Sequence, residues 1–280
     1  MDNNYLAELL FGDIKTTPED MFAKYPARTL PDKAAVTRFA PSPTGFMHIG
    51  GLYAALISMC MARQSDGVFY LRLEDTDKKR EIEHGADEII TSLAQYGVCF
   101  DEGAAADGEA EKGSYGPYRQ SMRKEIYQTF AKDLVKRGLA YPCFCSAEEL
   151  DEIRKVQEAE KADMGYYGSY AKCRNLSIEE IEANIKAGKE YVLRLRSDGN
   201  AENKITCRDL IRGNIEMPEN IMDVVLLKSD GIPTYHFAHV VDDFLMGTTH
   251  VIRGDEWISS YPLHEQLFRA SGLKMPKYAH

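Results

Sequence analysis

The chain has 280 residues, 44% hydrophobic and 10% aromatic, with a formal net charge of −10. That length sustains one large or two modest globular domains, and the acidic balance argues against a general electrostatic polyanion binder while leaving room for a local basic groove. No apolar run approaches the ~20 residues of a membrane-spanning helix, the opening Met1-Asp2-Asn3-Asn4 lacks a secretory pattern, and six cysteines without a small-domain framework suit a reducing compartment, so a cytoplasmic protein is expected.

Residues 1–33 contain Pro18, Pro26 and Pro31 and precede the first core strand. They read as an extension packed on the main domain, with a short amphipathic helix over 5–11 and some risk of disorder. A buried strand follows over 34–40. The next apolar residues, Ile49, Leu52, Tyr53, Leu56, Ile57 and Cys60, fall at helical spacing and predict a helix over 49–63. A strand over 68–73 comes next, then a helix with Ile82, Ala86, Ile89, Ile90, Leu93 and Tyr96 on its apolar face. This βαβα order predicts a parallel sheet of Rossmann type. Residues 103–116 are small, acidic and glycine-rich, a surface loop. Met122, Ile126, Phe130 and Leu134 mark a helix over 122–137.

At Tyr141 the character changes. Residues 141–222 hold Cys143, Cys145 and Cys173, a charged helix over 146–161, a Tyr/Gly-rich loop over 165–170 and a strand over 191–196. The sheet pattern resumes at 224–228 and 249–252, and a helix over 259–271 follows. The predicted fold is α/β, a Rossmann-type parallel sheet interrupted by an α+β insertion. Its divisions are 1–33, 34–140, the insertion 141–222, and 223–280.

Between the first strand and helix runs Arg38-Phe39-Ala40-Pro41-Ser42-Pro43-Thr44-Gly45-Phe46-Met47-His48-Ile49-Gly50-Gly51. A strand feeding a glycine-containing turn at a helix N-terminus is a phosphate-binding geometry, because free N–H groups and the positive helix end point at an anion. His48 sits at that end. The run resembles the first signature of class I aminoacyl-tRNA synthetases, in the form used by the glutamyl subgroup. Gly51 stands where the general class pattern has a second His, which is normal for glutamyl enzymes.

Three further runs carry the resemblance. Leu71-Arg72-Leu73-Glu74-Asp75-Thr76-Asp77 ends a strand with three carboxylates. Alone it reads as an acidic solvated turn with Asp77 as a helix cap; in the family the Glu binds the substrate α-ammonium, a role implied for Glu74. Leu226 to Ala238 reads as a strand, an Asp230-Gly231 turn and a pocket wall, with Tyr235 matching a substrate-contacting Tyr and His239 four residues on at another implied contact. In Val240-Val241-Asp242-Asp243-Phe244, Phe244 replaces the usual His. Val251-Ile252-Arg253-Gly254-Asp255-Glu256-Trp257 matches a family variant. A substrate with two carboxylates needs cationic partners, and Arg offers a bidentate fork; Arg38 and Arg253 are the two expected.

The resemblance covers residues 25–280 and implies ATP-dependent activation of L-glutamate and its transfer to tRNA(Glu), with Mg²⁺ accompanying ATP. The implied catalytic residues are His48 and Gly50. Ser42, Thr44, Gly45, His48, Gly50, Gly51, Glu256 and Trp257 are expected at ATP, although Trp257 also fits plain core packing. Arg38, Ala40, Ser42, Glu74, Tyr235, His239 and Arg253 are expected at glutamate. Cys143, Cys145 and Cys173 resemble part of a zinc knuckle found in some glutamyl enzymes; Asn175 occupies one usual fourth position, leaving Tyr166, Tyr167 or Tyr170, and free thiols are the alternative. The insertion is implied to meet the tRNA acceptor arm, and a monomer is expected.

Lys274-Met275-Pro276-Lys277 is not the second class signature, since Pro276 occupies the Ser position. The chain is therefore expected to be a catalytic fragment of a longer enzyme. The alternatives are the shorter glutamyl-queuosine relative and a non-catalytic tRNA-binding paralogue. A glutaminyl enzyme fits less well, because Ala40-Pro41-Ser42 replaces that subgroup's Pro-Pro-Glu.

Overall fold

A computed structural model describes residues 2–45, 47–77, 80, 82 and 84–280; Phe46 of the first motif lies outside them. The chain opens with α1 (Asn3–Phe11), capped by the Asp2 carboxylate, and α2 (Pro18–Lys24), started by a Thr17–Asp20 capping box and Pro18 in the first turn. Leu6, Ala7, Phe11 and Met21 are buried in the main core with Phe130 and Leu134. Within the first 33 residues, the apolar faces of α1 and α2 thus reach into the main core.

Next come β1 (Val36–Phe39), α3 (Ile49–Gln64), β2 (Val68–Leu71), α4 (Gly85–Gln95), β3 (Glu102–Gly103), α5 (Lys124–Lys136) and β4 (Ala140–Cys143). They are followed by α6 (Ala147–Glu160), α7 (Ile178–Lys186), β5 (Val192–Leu195), β6 (Lys204–Asp209), β7 (Gly213–Pro218) and β8 (Val225–Leu227). The chain closes with α8 (Tyr235–Leu245), β9 (His250–Ile252), α9 (Tyr261–Ser271) and β10 (Lys277–Ala279).

Strands β1, β2 and β3 pair in parallel, as do β9 and β10. The two sets meet where the Thr249 N–H donates to the Val36 carbonyl at 2.9 Å and the Val36 N–H donates to Thr249 Oγ1 at 2.8 Å. The layer therefore runs β3-β2-β1-β9-β10, with helices on it, as a Rossmann-type α/β fold requires. Gly67 permits the β1–β2 approach: a Cβ there would lie 1.9 Å from the Ala35 carbonyl oxygen.

Two sheets join the insertion to this layer. β4, β5 and β8 form an antiparallel sheet. The hairpin β6–β7 attaches to β10 through Asp209 beside Tyr278. Residues 224–228 were expected to resume the parallel sheet, and instead β8 pairs antiparallel with β5. Both expected insertion boundaries are bridged by hydrogen-bonded strands.

The predicted apolar face of α3 is overturned. Ile49, Tyr53 and Leu56 are exposed at 80%, 65% and 39%, while Ala55, Ser58, Met59 and Ala62 are buried. The helix is apolar on several sides, so spacing alone did not choose its face; small residues let it sit close to the sheet. Ile82 precedes α4, Tyr96 is an exposed cap residue, and Met122 lies exposed in a 3₁₀ turn before α5. Ala86, Ile89, Leu93, Ile126, Phe130 and Leu134 are buried as expected.

Candidate active site

A pocket of about 380 Å³ opens beyond the carboxyl ends of β1, β2 and β9, where parallel α/β sheets place ligands. Of the residues singled out from sequence, Arg38, Ala40, Ser42, Gly45, His48, Gly50, Gly51, Glu74, Tyr235, Arg253, Glu256 and Trp257 line it. Thr44 is not in the lining. His239 is fully buried behind it, because Tyr235 and His239 are one helical turn apart on α8 and the second ring lies deeper. There its Nε2 meets Tyr278 Oη at 2.8 Å, and its ring stacks 5.8 Å behind Tyr235. His239 supports the pocket floor rather than its surface. Reasoning from sequence missed Phe39, Pro41, Met47, Ala54, Ile89, Ile252 and Gly254 in the wall.

The loop side is built from the N-terminus of α3. His48 is its N-cap, in extended backbone, and its Nδ1 accepts the Gly51 N–H at 3.3 Å. That acceptance leaves the ring proton on Nε2 as the free donor. A Cβ at Gly50 would press 3.2 Å from the His48 ring, whereas one at Gly45 would meet nothing within 4 Å and would only occupy pocket space. The loop thus offers one imidazole N–H and the helix end to an anion.

The opposite side rests on a buried ionic lattice. Arg72 reaches Glu74 at 3.1 Å and Asp243 at 2.5 Å. Arg38 Nε lies 3.3 Å from Asp243 Oδ2, and Arg123 Nε donates to Asp242 Oδ1 at 2.7 Å. Gln120 and Tyr127 donate to Asp242 at 2.9 and 2.7 Å. Among the described residues, the terminal nitrogens of Arg38 make no hydrogen bond. Burial pushes Glu74 up to about 7, although the Arg72 and Arg38 charges pull it back. Asp243 is held well below the carboxylate range: burial raises it, and the Arg38 and Arg72 charges outweigh that. The sequence places Arg72 and the Asp242-Asp243 pair within its motifs but gives no sign that they meet.

Arg253 follows β9. Its Nε donates to His280 Nε2 at 2.9 Å, one terminal nitrogen meets His264 Nδ1 at 3.2 Å, and the other reaches the Trp257 carbonyl at 3.4 Å. Among the described residues no carboxylate pairs with it. Burial holds His236 and His239 down to about 4 and His264 well below its ordinary range, so these rings are neutral. Tyr235 and Trp257 close the wall, ring centres 4.4 Å apart. Trp257 is half-buried in this wall, not in the core.

A second cluster lies in the insertion. The sulfurs of Cys143, Cys145 and Cys173 are all within 4.8 Å of one another. Tyr166 Oη sits 3.4 Å from Cys143 Sγ and 3.3 Å from Cys145 Sγ. The Tyr167 and Tyr170 hydroxyls turn away, to the Asp163 carbonyl and the Glu160 carboxylate, and Asn175 accepts from Arg196. Hydrogen bonds from Cys145 and Cys173 hold the Cys143 thiol far below its ordinary range. No described helix is long and apolar enough to cross a membrane.

A family model described as tRNA synthetases class I (E and Q), catalytic domain, matches residues 34–280. The glutamate–tRNA ligase of Clostridium beijerinckii is 55% identical over 275 residues, covering 98% of this chain and 50% of the relative. That of Clostridium perfringens strain 13 is 53% identical over 280 residues, covering 100% and 51%. A crystal structure of a glutamate tRNA ligase from Elizabethkingia meningosepticum in complex with its amino acid is similar, with a TM-score of 0.80 and 38% identity. That match covers 89% of this chain and 49% of the other. The chain spans about half the length of the curated relatives it matches. The signature loop at the start of α3, the Rossmann layer behind it and the match over residues 34–280 agree: the chain belongs to the class I tRNA synthetase family of the E and Q type, through its catalytic domain.

Proposed function

We propose that this chain carries the amino-acid activation site of a glutamate–tRNA ligase. The observation that carries the reading is Arg253, a buried cation with no carboxylate partner among the described residues, in one pocket with Arg38 and Glu74. Two cations and one anion complement a substrate with two carboxylates and an ammonium group. Glu74 takes the ammonium; Arg38 and Arg253 take carboxylate oxygens; Ala40, Ser42 and Tyr235 shape the floor. ATP lies along the helix end, with Ser42, Gly45, Gly50 and Gly51 beside its phosphates and Glu256 and Trp257 toward its nucleoside. Thr44 stays outside this assignment.

The glutamate α-carboxylate attacks the α-phosphorus, an oxygen–phosphorus bond forms and pyrophosphate leaves with its electron pair. A hydroxyl of the terminal adenosine of tRNA(Glu) then attacks the acyl carbon and releases AMP. The chain's contribution is to position the reactants and to place His48 Nε2–H, with the α3 N-terminus, at the phosphate charge. Mg²⁺ accompanies the ATP phosphates. The cytoplasmic setting expected from composition and the expected monomeric state go with this reading.

Three sulfurs and one phenol oxygen gathered in one place fit a four-coordinate structural zinc ion, held by Cys143, Cys145, Cys173 and Tyr166. Bound zinc would tie β4 to the segment carrying Tyr166 and Cys173.

Isothermal titration of the chain with L-glutamate and L-glutamine tests the activation site. Wild type is expected to prefer glutamate. Arg253→Ala should lose roughly 2–5 kcal/mol of glutamate binding, the cost of breaking a buried charged hydrogen bond. Unchanged binding in that variant would remove Arg253 from the site and the reading with it.

A further inference from the structure

We propose that Asp209 and His280 are positioning residues for Arg253, and that through Asp209 the β6–β7 hairpin is a working part of the amino-acid pocket. The inference rests on Arg253 facing the substrate, as proposed above.

Asp209 is the last residue of β6 and is buried, as is His280. Its Oδ1 accepts the N–H groups of Ile211 and Arg212, both at 2.9 Å, which folds the hairpin tip around the carboxylate. Its Oδ2 accepts the His280 backbone N–H at 3.0 Å and lies 2.7 Å from His280 Nδ1. An ionised carboxylate has no proton to give, so Nδ1 is the donor. His280 Nε2 is then bare and accepts from Arg253 Nε at 2.9 Å. The carboxylate therefore sets the imidazole tautomer, and the imidazole sets the guanidinium plane.

The same hairpin holds the pocket rim a second time. Arg212 pairs with Asp255, which lies between the pocket-lining residues Gly254 and Glu256. The tip residues Leu210 and Ile211 are exposed at 53% and 69%, so a surface turn is one residue away from the buried carboxylate.

The arrangement has a reason beyond packing. A carboxylate placed directly on Arg253 would orient it but also neutralise it. A neutral imidazole between them orients the guanidinium and leaves its charge for the substrate. Guanidinium has five N–H donors. Three go to His280, His264 and Trp257, so two remain, one on each terminal nitrogen, and a carboxylate can take both. Outer partners of this kind govern affinity through the group they orient.

The test compares L-glutamate and L-glutamine binding to the 280-residue chain by isothermal titration, with the melting temperature recorded for each variant. The variants are Arg253→Ala, Asp209→Asn, His280→Leu and His280→Gln. Asp209→Asn keeps the side-chain shape but turns a donor toward Nδ1, which favours the tautomer with a proton facing Arg253. His280→Leu removes the acceptor; His280→Gln supplies an amide that can donate to Asp209 and accept from Arg253. Asp209→Asn and His280→Leu should each weaken glutamate binding about tenfold or more and flatten the preference over glutamine, and His280→Gln should recover most of both. Glutamate affinity unchanged in Asp209→Asn and His280→Leu, with Arg253→Ala impaired, overturns the positioning role and leaves the pocket reading intact. Equal loss in His280→Leu and His280→Gln, tracking melting temperature alone, also overturns it. Intact binding in Arg253→Ala overturns the pocket reading instead.

Discussion

Glu74 is the residue whose substitution tests the site's electrostatics most directly. Its carboxyl is 8% exposed, and its pKa rises from 4.5 to about 7 because burial disfavours the charged form. Between these values the folded chain holds a proton that the unfolded chain has released. The unfolded state therefore binds fewer protons, and this group's contribution to stability falls as pH rises through that window and is flat above it. Across that window, at about 1.4 kcal/mol per pH unit, the rise amounts to roughly 3 kcal/mol of destabilisation at pH 8. Glu74→Gln removes the titration while keeping an oxygen that can accept from Arg72, which retains Asp242 and Asp243 as partners. Its other effects, such as a weaker bond to Arg72, do not change with pH. Urea unfolding of both proteins at pH 4.5 and pH 8 isolates the difference. The variant should gain on wild type by about 3 kcal/mol between the two conditions. A stability difference that is the same at both pH values would show that Glu74 ionises normally and that its burial has been overcome by Arg72 and Arg38.

Further expectations concern the ligands. If Glu74 receives the substrate ammonium, it must be ionised in the complex, so glutamate binding at pH 6.5 should release protons; titrations in two buffers of different ionisation enthalpy read this, and equal apparent enthalpies would separate Glu74 from the ammonium. His48→Ala, in a protein carrying this chain at the full length of its relatives, should slow ATP–pyrophosphate exchange about a hundredfold or more, on the order of 3–4 kcal/mol, while ATP affinity changes little. A lowered melting temperature with a near-normal rate would reduce His48 to a helix cap. Chain purified without chelators should contain about one zinc per molecule by elemental analysis, and Tyr166→Phe should bind it more weakly; less than a tenth of an equivalent in wild type would leave the cysteines as free thiols.

Much of the candidate pocket was legible because its residues lie at the ends of strands within contiguous runs. Arg38, Glu74 and Arg253 each follow or end a strand, and parallel strands bring such ends together without any knowledge of side-chain packing. Long-range partners left no such mark. Nothing in the sequence pairs Arg72 with Asp243 or Asp209 with His280, since those pairs are created by the register of α8 on β2 and of β10 on β6. The α3 face was misread for a different reason: Ile49 and Tyr53 are larger and more apolar than Ala55 and Ser58, but the close approach to Phe69 favours small side chains. His239 was misplaced by reading spacing without depth, because i and i+4 share a helix face while only Tyr235 reaches the opening.

If the proposed function holds, the buried lattice is better understood as a device for selectivity than as a source of stability. Burying ion pairs costs several kcal/mol per ion, and the mutual attraction often does no more than repay it. What the lattice does achieve is a fixed charge at a fixed place. Arg38, Arg72, Arg123 and Arg253 are buried, against Glu74, Asp242 and Asp243. Arg38, Arg72 and Arg123 each meet one of these carboxylates, whereas Arg253 meets none among the described residues. Asp209 stands one imidazole further off, and Glu256 is exposed at the rim, where solvent screens it. The surrounding His236, His239 and His264 add no charge near neutral pH, since burial keeps them unprotonated. Glutamate, with two carboxylates and one ammonium, carries −1; glutamine carries none. An uncompensated cation in a site of low dielectric is costly in the empty pocket, and a glutamate carboxylate relieves that cost where a glutamine amide cannot. Under the proposed function, discrimination between the two amino acids comes as much from the penalty of leaving Arg253 unmet as from the bond it forms, and it should be lost in Arg253→Ala.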